Sequence, residues 1–336
     1  MVIFDYILKC MNLYKTLIFV GLIIFTSCKN TENKAEKATK TAEIPPDYEE
    51  LFSVMKKGFI DRDKVEWDNL EKKVIEKSKI SKDSAIVEAI TLLGNNHTHY
   101  LTKDNVLLRG RFPKIKVDSS CLLKVEDNNK LTKIPDVAYI RIKRHGFDKT
   151  ISDKDYIFNN LKTISEQANS NYWIIDLRDN LGGSNWVMIT SLLPFFEDNI
   201  LGYSKINNDD ISWSKKDGYF FNGVNNLSKG YINTPIINTI HPNKIYVLIN
   251  QRTSSAGEAA LISLKSLPNV KVLGKKTMGA ATINAETKLF NGDMLVLTTG
   301  YMMDAKKNIY PKGIEPDYEL CTEDEILKSI QSDKLK

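Results

Sequence analysis

An α/β core behind a helical bundle is what this sequence predicts, on two observations. Apolar residues recur every three or four positions from 47 to 93, and beyond residue 137 short apolar runs alternate with helical stretches. In the first region Leu51, Val54 and Met55, then Val65, Leu70, Val74 and Ile75, then Ile86, Val87 and Ile90 give each helix one apolar side. In the second, residues 137–143 (VAYIRIK), 172–176, 244–249 (KIYVLI) and 270–274 are β-branched runs of strand length. Helices are expected between them over 156–166, 187–196 and 256–264. Residues 102–136 hold only short runs, such as VLLR at 106–109 and CLLK at 121–124, and read as a β-rich connector. The expected division is a helical segment over 46–101, that connector, a core over 137–322, and a C-terminal helix or tail over 323–336.

The first residues concern location rather than fold. Met11-Asn-Leu-Tyr-Lys15, the apolar stretch 17–25, and small residues ahead of Cys28 make a signal-peptide pattern over 1–28, and Met11 alone begins a well-formed one. The apolar stretch is short of the roughly 20 residues that cross a bilayer comfortably. Cys28 after Phe-Thr-Ser resembles a bacterial lipobox, which implies a lipid anchor on Cys28 and a place in the bacterial cell envelope. Residues 29–45 are polar, lack aromatic side chains up to the proline pair at 45–46, and read as a flexible tether. Cys121 and Cys321 remain as cysteines of the folded chain and can pair in an oxidising compartment. A formal charge of +5, which becomes +4 when Lys9, Lys15 and Asp5 leave with the leader, is mild for this length. With no basic cluster interleaved with aromatic residues, nucleic acid is not an expected partner.

Two strand-to-helix junctions carry the chemistry. In Ile249-Asn-Gln-Arg-Thr-Ser-Ser-Ala-Gly-Glu258, small hydroxyl residues lie between an apolar strand and a helix, which places Ser255 among unpaired N–H groups at the positive end of the helix dipole. Such hydroxyls also serve as plain helix caps. In Trp173-Ile-Ile-Asp-Leu-Arg-Asp-Asn-Leu-Gly-Gly-Ser184, Gly182 and Gly183 let backbone N–H groups approach a ligand. One junction offers an attacking group and the other an oxyanion hole.

DLRDNLGG at 176–183, TSSAGE at 253–258, VLGKKTMG at 272–279 and KGIEPD at 312–317 stand in the order found in the tail-specific, or C-terminal processing, serine peptidases of family S41, and the chain resembles that family over roughly 138–320. The resemblance implies a ClpP/crotonase-like core, a peptide or protein substrate, no cofactor and no metal. It makes Ser255 the nucleophile, the amide of Ala256 one oxyanion donor, and Gly182 or Gly183 the other. The branch with a Ser/Lys dyad carries its lysine where this chain has Ala280 and a glutamine where it has Asn284; Lys275 and Lys276 precede a turn and read as solvated. An alanine takes no proton, so the base must come from elsewhere. Of His97, His99, His145 and His241, His97 in LLGNNHTHYL at 92–101 resembles the histidine base of the tricorn-like branch. A neutral imidazole accepts a serine proton at neutral pH. That branch's serine before the histidine corresponds to Asn96, and its glutamate to Tyr310, so Asn96 is a candidate to hold the imidazole tautomer and Tyr310 to support Asn96. Glu258, one helical turn beyond Ser255, is a candidate partner for His97 or for the helix end. Asp176 and Arg178 read as an ion pair that fixes the loop. His99 beside His97 is a weak metal signal without further ligands. Residues 102–137 are too few for the PDZ domain that the family commonly carries there, so substrate choice would rest on the cleft. The alternative reading is a degenerate, peptide-binding lipoprotein.

Overall fold

A computed structural model describes residues 45–112, 125, 130–146 and 150–334. The leader with Cys28, the tether, Cys121 and part of the connector lie outside the described residues. In chain order the elements are helices α1 (Pro46–Gly58), α2 (Trp67–Ser78) and α3 (Lys82–Leu93), and strands β1 (His99–Leu101), β2 (Leu107–Arg109) and β3 (Val137–Arg141). Next come α4 (Asp153–Glu166), β4 (Tyr172–Asp176), α5 (Asn185–Ser191), β5 (Ile200–Ile206), β6 (Asp209–Lys216), β7 (Tyr219–Asn222) and β8 (Asn225–Asn226). The chain continues through β9 (Lys244–Ile249), α6 (Ala256–Leu264), β10 (Val270–Gly274), β11 (Thr282–Lys288), β12 (Met294–Met303), β13 (Tyr318–Glu319) and α7 (Glu323–Lys334).

The strands form two sheets. One has five strands in the order β13-β10-β9-β4-β3, and every pairing is parallel. Parallel strands are buried on both faces, and side chains alternate accordingly. Ile140, Trp173, Ile175, Val247, Ile249 and Val272 point to a core shared with α5 and α6. Ile174, Tyr246, Leu248 and Leu273 point the other way, against Ile326 and Ile330 of α7. The second sheet has eight strands and runs β2-β1-β12-β5-β6-β7-β8, with β11 also on β12, all antiparallel. Helices α1 to α3 bury Leu51, Met55, Leu70, Val74 and Ile90 against Leu295 and Leu297 of this sheet.

Local chemistry sets several boundaries. The Ser84 amide donates to the Ser81 hydroxyl at 3.1 Å and starts α3, and Gly94 at φ 70° stops it, turning the chain towards β1. The expected helix over 187–196 is shorter than its apolar run. Pro194 interrupts it, leaving α5 to Ser191 and a 3₁₀ turn at Leu193–Phe195. Within the expected helical segment 46–101, His99–Leu101 is a strand, because its pairing with Val296, Leu295 and Met294 of β12 satisfies its backbone. Lys275 and Lys276 form ion pairs with Glu319 and Glu315 at the surface, at 2.6 and 2.7 Å.

Past β4 the chain turns on a buried ion pair. The Arg178 guanidinium donates to both Asp176 carboxylate oxygens at 2.6 to 3.1 Å, and to Glu323 of α7 at 3.1 Å, while the Tyr139 hydroxyl donates to Asp176 at 2.8 Å. The Arg178 and Asp176 side chains have no exposure. The Asp176 carboxylate raises the Arg178 affinity for its proton against the opposing effect of burial. Removing one member of such a pair strands the other charge, so Asp176→Ala is expected to cost about 3–5 kcal/mol. The check is the midpoint and slope of urea unfolding against the unaltered chain.

Candidate active site

Both glycine-rich and hydroxyl-rich turns lie at the C-terminal ends of the parallel strands, after β4 and β9. They are sewn together by Asn180, whose backbone carbonyl accepts the Ser254 amide at 2.9 Å and whose side-chain nitrogen donates to the Ile142 carbonyl at 2.8 Å. A Cβ on Gly257 would lie 2.7 Å from the Asn180 carbonyl, so that close approach requires glycine. The Thr253 hydroxyl donates to the Leu177 carbonyl at 2.9 Å, a second stitch between the turns.

Ser255 precedes α6 at φ 52°, ψ −115°. A non-glycine residue held at positive φ stores of order 1–3 kcal/mol, and persists only where surrounding contacts enforce it. The principal contact is Glu258. Its carboxylate is fully buried and accepts four hydrogen bonds: from the Ser255 amide at 3.0 Å, the Ala280 amide at 2.7 Å, the Gly279 amide at 2.9 Å and the Thr277 hydroxyl at 2.5 Å. Burial pushes its pKa up, and the four donors oppose that rise. Thr277 in turn accepts the Ile314 amide at 2.7 Å, and a Cβ on Gly313 would lie 2.4 Å from the Thr277 carbonyl. The VLGKKTMG and KGIEPD motifs therefore pack on one another and support the Ser255 turn from below.

Gly182 and Gly183 lie against Ser255. A Cβ on Gly182 would sit 2.8 Å from the Ser255 Cβ and 3.1 Å from the Ala256 nitrogen, and one on Gly183 would overlap the His145 carbonyl at 1.9 Å. The two glycines differ as donors. The Gly182 amide is already bound to the Asn180 side-chain oxygen at 3.0 Å. The amides of Gly183 and Ala256 donate to no protein acceptor among the described residues.

His97 follows the turn after α3. Its amide donates to the Asn95 side-chain oxygen at 2.9 Å, and its carbonyl accepts from the His99 ring at 3.0 Å and the Asn284 side chain at 3.5 Å. The ring Nδ1 lies 2.6 Å from the Thr282 hydroxyl, a contact spanning 185 positions. Burial foremost, then the nearby His99 and Arg109, lowers the His97 pKa to about 4. From Thr282 the path to Ser255 is continuous: the Thr282 amide donates to the Ala280 carbonyl at 2.8 Å, and Ala280 and Ser255 share the same Glu258 oxygen.

Two sequence expectations need correction. Asn96 is exposed and takes no part around the ring; its neighbour Asn95 holds the backbone, because the tight turn after Gly94 points residue 95 inward. Tyr310 does not reach Asn96, since its hydroxyl is bound to Asp304 at 2.5 Å. Of the two roles expected for Glu258, the structure has the one at the helix end: it accepts the Ser255 amide that starts α6, and the other donors above leave no oxygen for His97. Thr282 is the residue that sequence reasoning missed. It stands two positions beyond Ala280, in a strand whose partner His97 is too remote for spacing to reveal. His145 is engaged elsewhere, its ring against Asp153 at 2.6 Å and stacked on Tyr156. Among the described residues no group of three or more His, Cys, Asp or Glu is arranged to hold a metal.

The peptidase family S41 model matches residues 136–320, more than half of the chain. A nisin-resistance protein of Lactococcus lactis subsp. lactis is 28% identical over 288 residues, covering 82% of this chain and 84% of that protein. The chloroplastic carboxyl-terminal-processing peptidase 1 of Arabidopsis thaliana is 27% identical over 184 residues, 54% of this chain and 33% of that one. A lipoprotein structure from Streptococcus agalactiae shares the fold with a TM-score of 0.62 at 23% identity, covering 84% of this chain and 92% of its own. With its four ordered motifs built into one strand-end site, the chain belongs to peptidase family S41.

Proposed function

We propose that this protein is an exported serine endopeptidase that cleaves peptide bonds through an acyl-enzyme on Ser255. The observation that carries the reading is the Ser255 turn itself, a positive-φ hydroxyl residue with the unengaged amides of Gly183 and Ala256 beside it. A strained strand-to-helix turn of this kind keeps an oxygen accessible above a sheet. His97 takes the Ser255 proton as the oxygen attacks the carbonyl carbon, and returns it to the leaving amine. Ala256 and Gly183 donate to the oxyanion of the tetrahedral intermediate; Gly182 serves by close packing, its own hydrogen bond being spent on Asn180. Removal of one such donor ordinarily lowers kcat by about 10²–10³. An extended substrate adds to the outer edge of β11, which among the described residues pairs only with β12 and begins at the His97 contact.

Location belongs to the same proposal. The leader and Cys28 place the protein in the bacterial cell envelope on a lipid anchor. The likeness to a lipoprotein structure and to a nisin-resistance protein supports that placement. One second reading has an observation in its favour: with Ala280 at the lysine position and Asn96 facing solvent, the chain would bind peptides without cutting them.

Two measurements separate these readings. A fluorophosphonate is expected to label the unaltered protein and not Ser255→Ala, while His97→Ala lowers peptide turnover by about 10²–10⁴. Equal labelling of the wild type and Ser255→Ala overturns the mechanism, and turnover that needs His97 rejects the binding-only reading. The second is the pH profile of kcat/KM. Protonated His97 cannot accept the serine proton, so activity falls as pH drops through the folded value of about 4 rather than through the ordinary 6.5. Stability has the same sign. Between about 6.5 and 4 the unfolded chain binds the extra proton, so the folded state loses stability as pH falls across that window. An acid limb at 6.5 would contradict it.

A further inference from the structure

The family branch that uses a histidine base orients it from the residue just before it, and here that residue is Asn96, which points into solvent. Another strand supplies the hydroxyl. We infer that Thr282 is the positioning residue for His97: its oxygen accepts the Nδ1–H, fixing the tautomer that leaves Nε2 as a lone pair for Ser255. This inference rests on His97 being the base.

Four observations support it. The Nδ1 to Oγ1 separation is 2.6 Å, and Thr282 is buried. The His97 backbone is held at its amide and carbonyl by Asn95, His99 and Asn284, which leaves only the two side-chain torsions to be set. Thr282 is itself placed by the Ala280 carbonyl, and Ala280 by the same Glu258 that holds Ser255. The 277–282 segment thus acts as a spacer between alcohol and imidazole, and the stretch that carries the base in the Ser/Lys branch carries the base's guide here.

The choice of a hydroxyl over a carboxylate has a chemical consequence. A neutral acceptor stabilises an imidazolium roughly half as well as an ionised one. The other charged groups around the ring are His99 on β1 and Arg109 on β2, both of which disfavour a second proton, and Glu286 on β11 acts on His99. With no carboxylate at Nδ1, the base is weak and stays neutral into mildly acid solution.

The test measures Thr282→Val and Thr282→Ser beside His97→Ala by fluorophosphonate labelling rate and by kcat and KM on a peptide substrate. Thr282→Val is expected to lower kcat and labelling by about 10- to 100-fold, as for a misplaced catalytic group, with KM little changed. Thr282→Ser keeps the hydroxyl and restores most of the rate. Nitrogen-15 NMR of the unaltered protein at pH 7 should show the His97 proton on Nδ1, a readout that needs no variant to fold. A proton on Nε2, or a Thr282→Val protein with wild-type rate and pH profile, overturns the inference. If His97→Ala also labels at the wild-type rate, the base assignment falls with it; if only Thr282→Val is silent, the base assignment stands alone.

Discussion

A carboxylate cut off from water needs a donor for each oxygen lone pair it would otherwise hydrate, and Glu258 draws those donors from two parts of the chain. Its neighbour Ser255 supplies one amide, and the segment after β10 supplies two amides and a hydroxyl. Satisfying this one side chain therefore fixes how the helix start, the 277–280 turn and, through Thr277 and Ile314, the 312–317 motif sit against each other. The left-handed Ser255 backbone is enforced by that arrangement. In the absence of Glu258 the turn would be free to relax towards an ordinary cap.

The parallel sheet provides the frame beneath. Its strands end together, so the loops after β4 and β9 emerge side by side, and Asn180 with Thr253 joins them before either reaches the surface. Ligand sites at the carboxyl ends of parallel strands follow from this geometry. The antiparallel sheet makes a different contribution. It presents β1 and β11 on opposite edges of β12, and their ends bring His97 and Thr282 into contact.

The parallel core was legible because its strands are continuous apolar runs, and 172–176, 244–249 and 270–274 coincide with β4, β9 and β10. Helix α6 was likewise marked at its start by the hydroxyl cluster. The region 200–226 was not recognised as strands, although Asp217-Gly218, at φ 51° and 72°, is a turn dipeptide that closes the β6–β7 hairpin. Its strands mix Ser, Lys and Trp and lack a clean alternation. Within the site, the motif residues could be read from order and spacing, but their neighbours could not. Whether a glycine amide is free depends on the Asn180 rotamer, and the partner of His97 depends on the register of two strands nearly two hundred residues apart.

That separation bears on biogenesis. The imidazole's surroundings are completed only when β11 and β12 have been made and aligned with β1, so a growing chain lacks the Thr282 contact until residues 282–303 have been added. Closing so long a loop is among the slower events in folding. Amino-terminal fragments left by stalled synthesis or early clipping would contain the histidine and, if cut before β9 ends, no seryl turn at all.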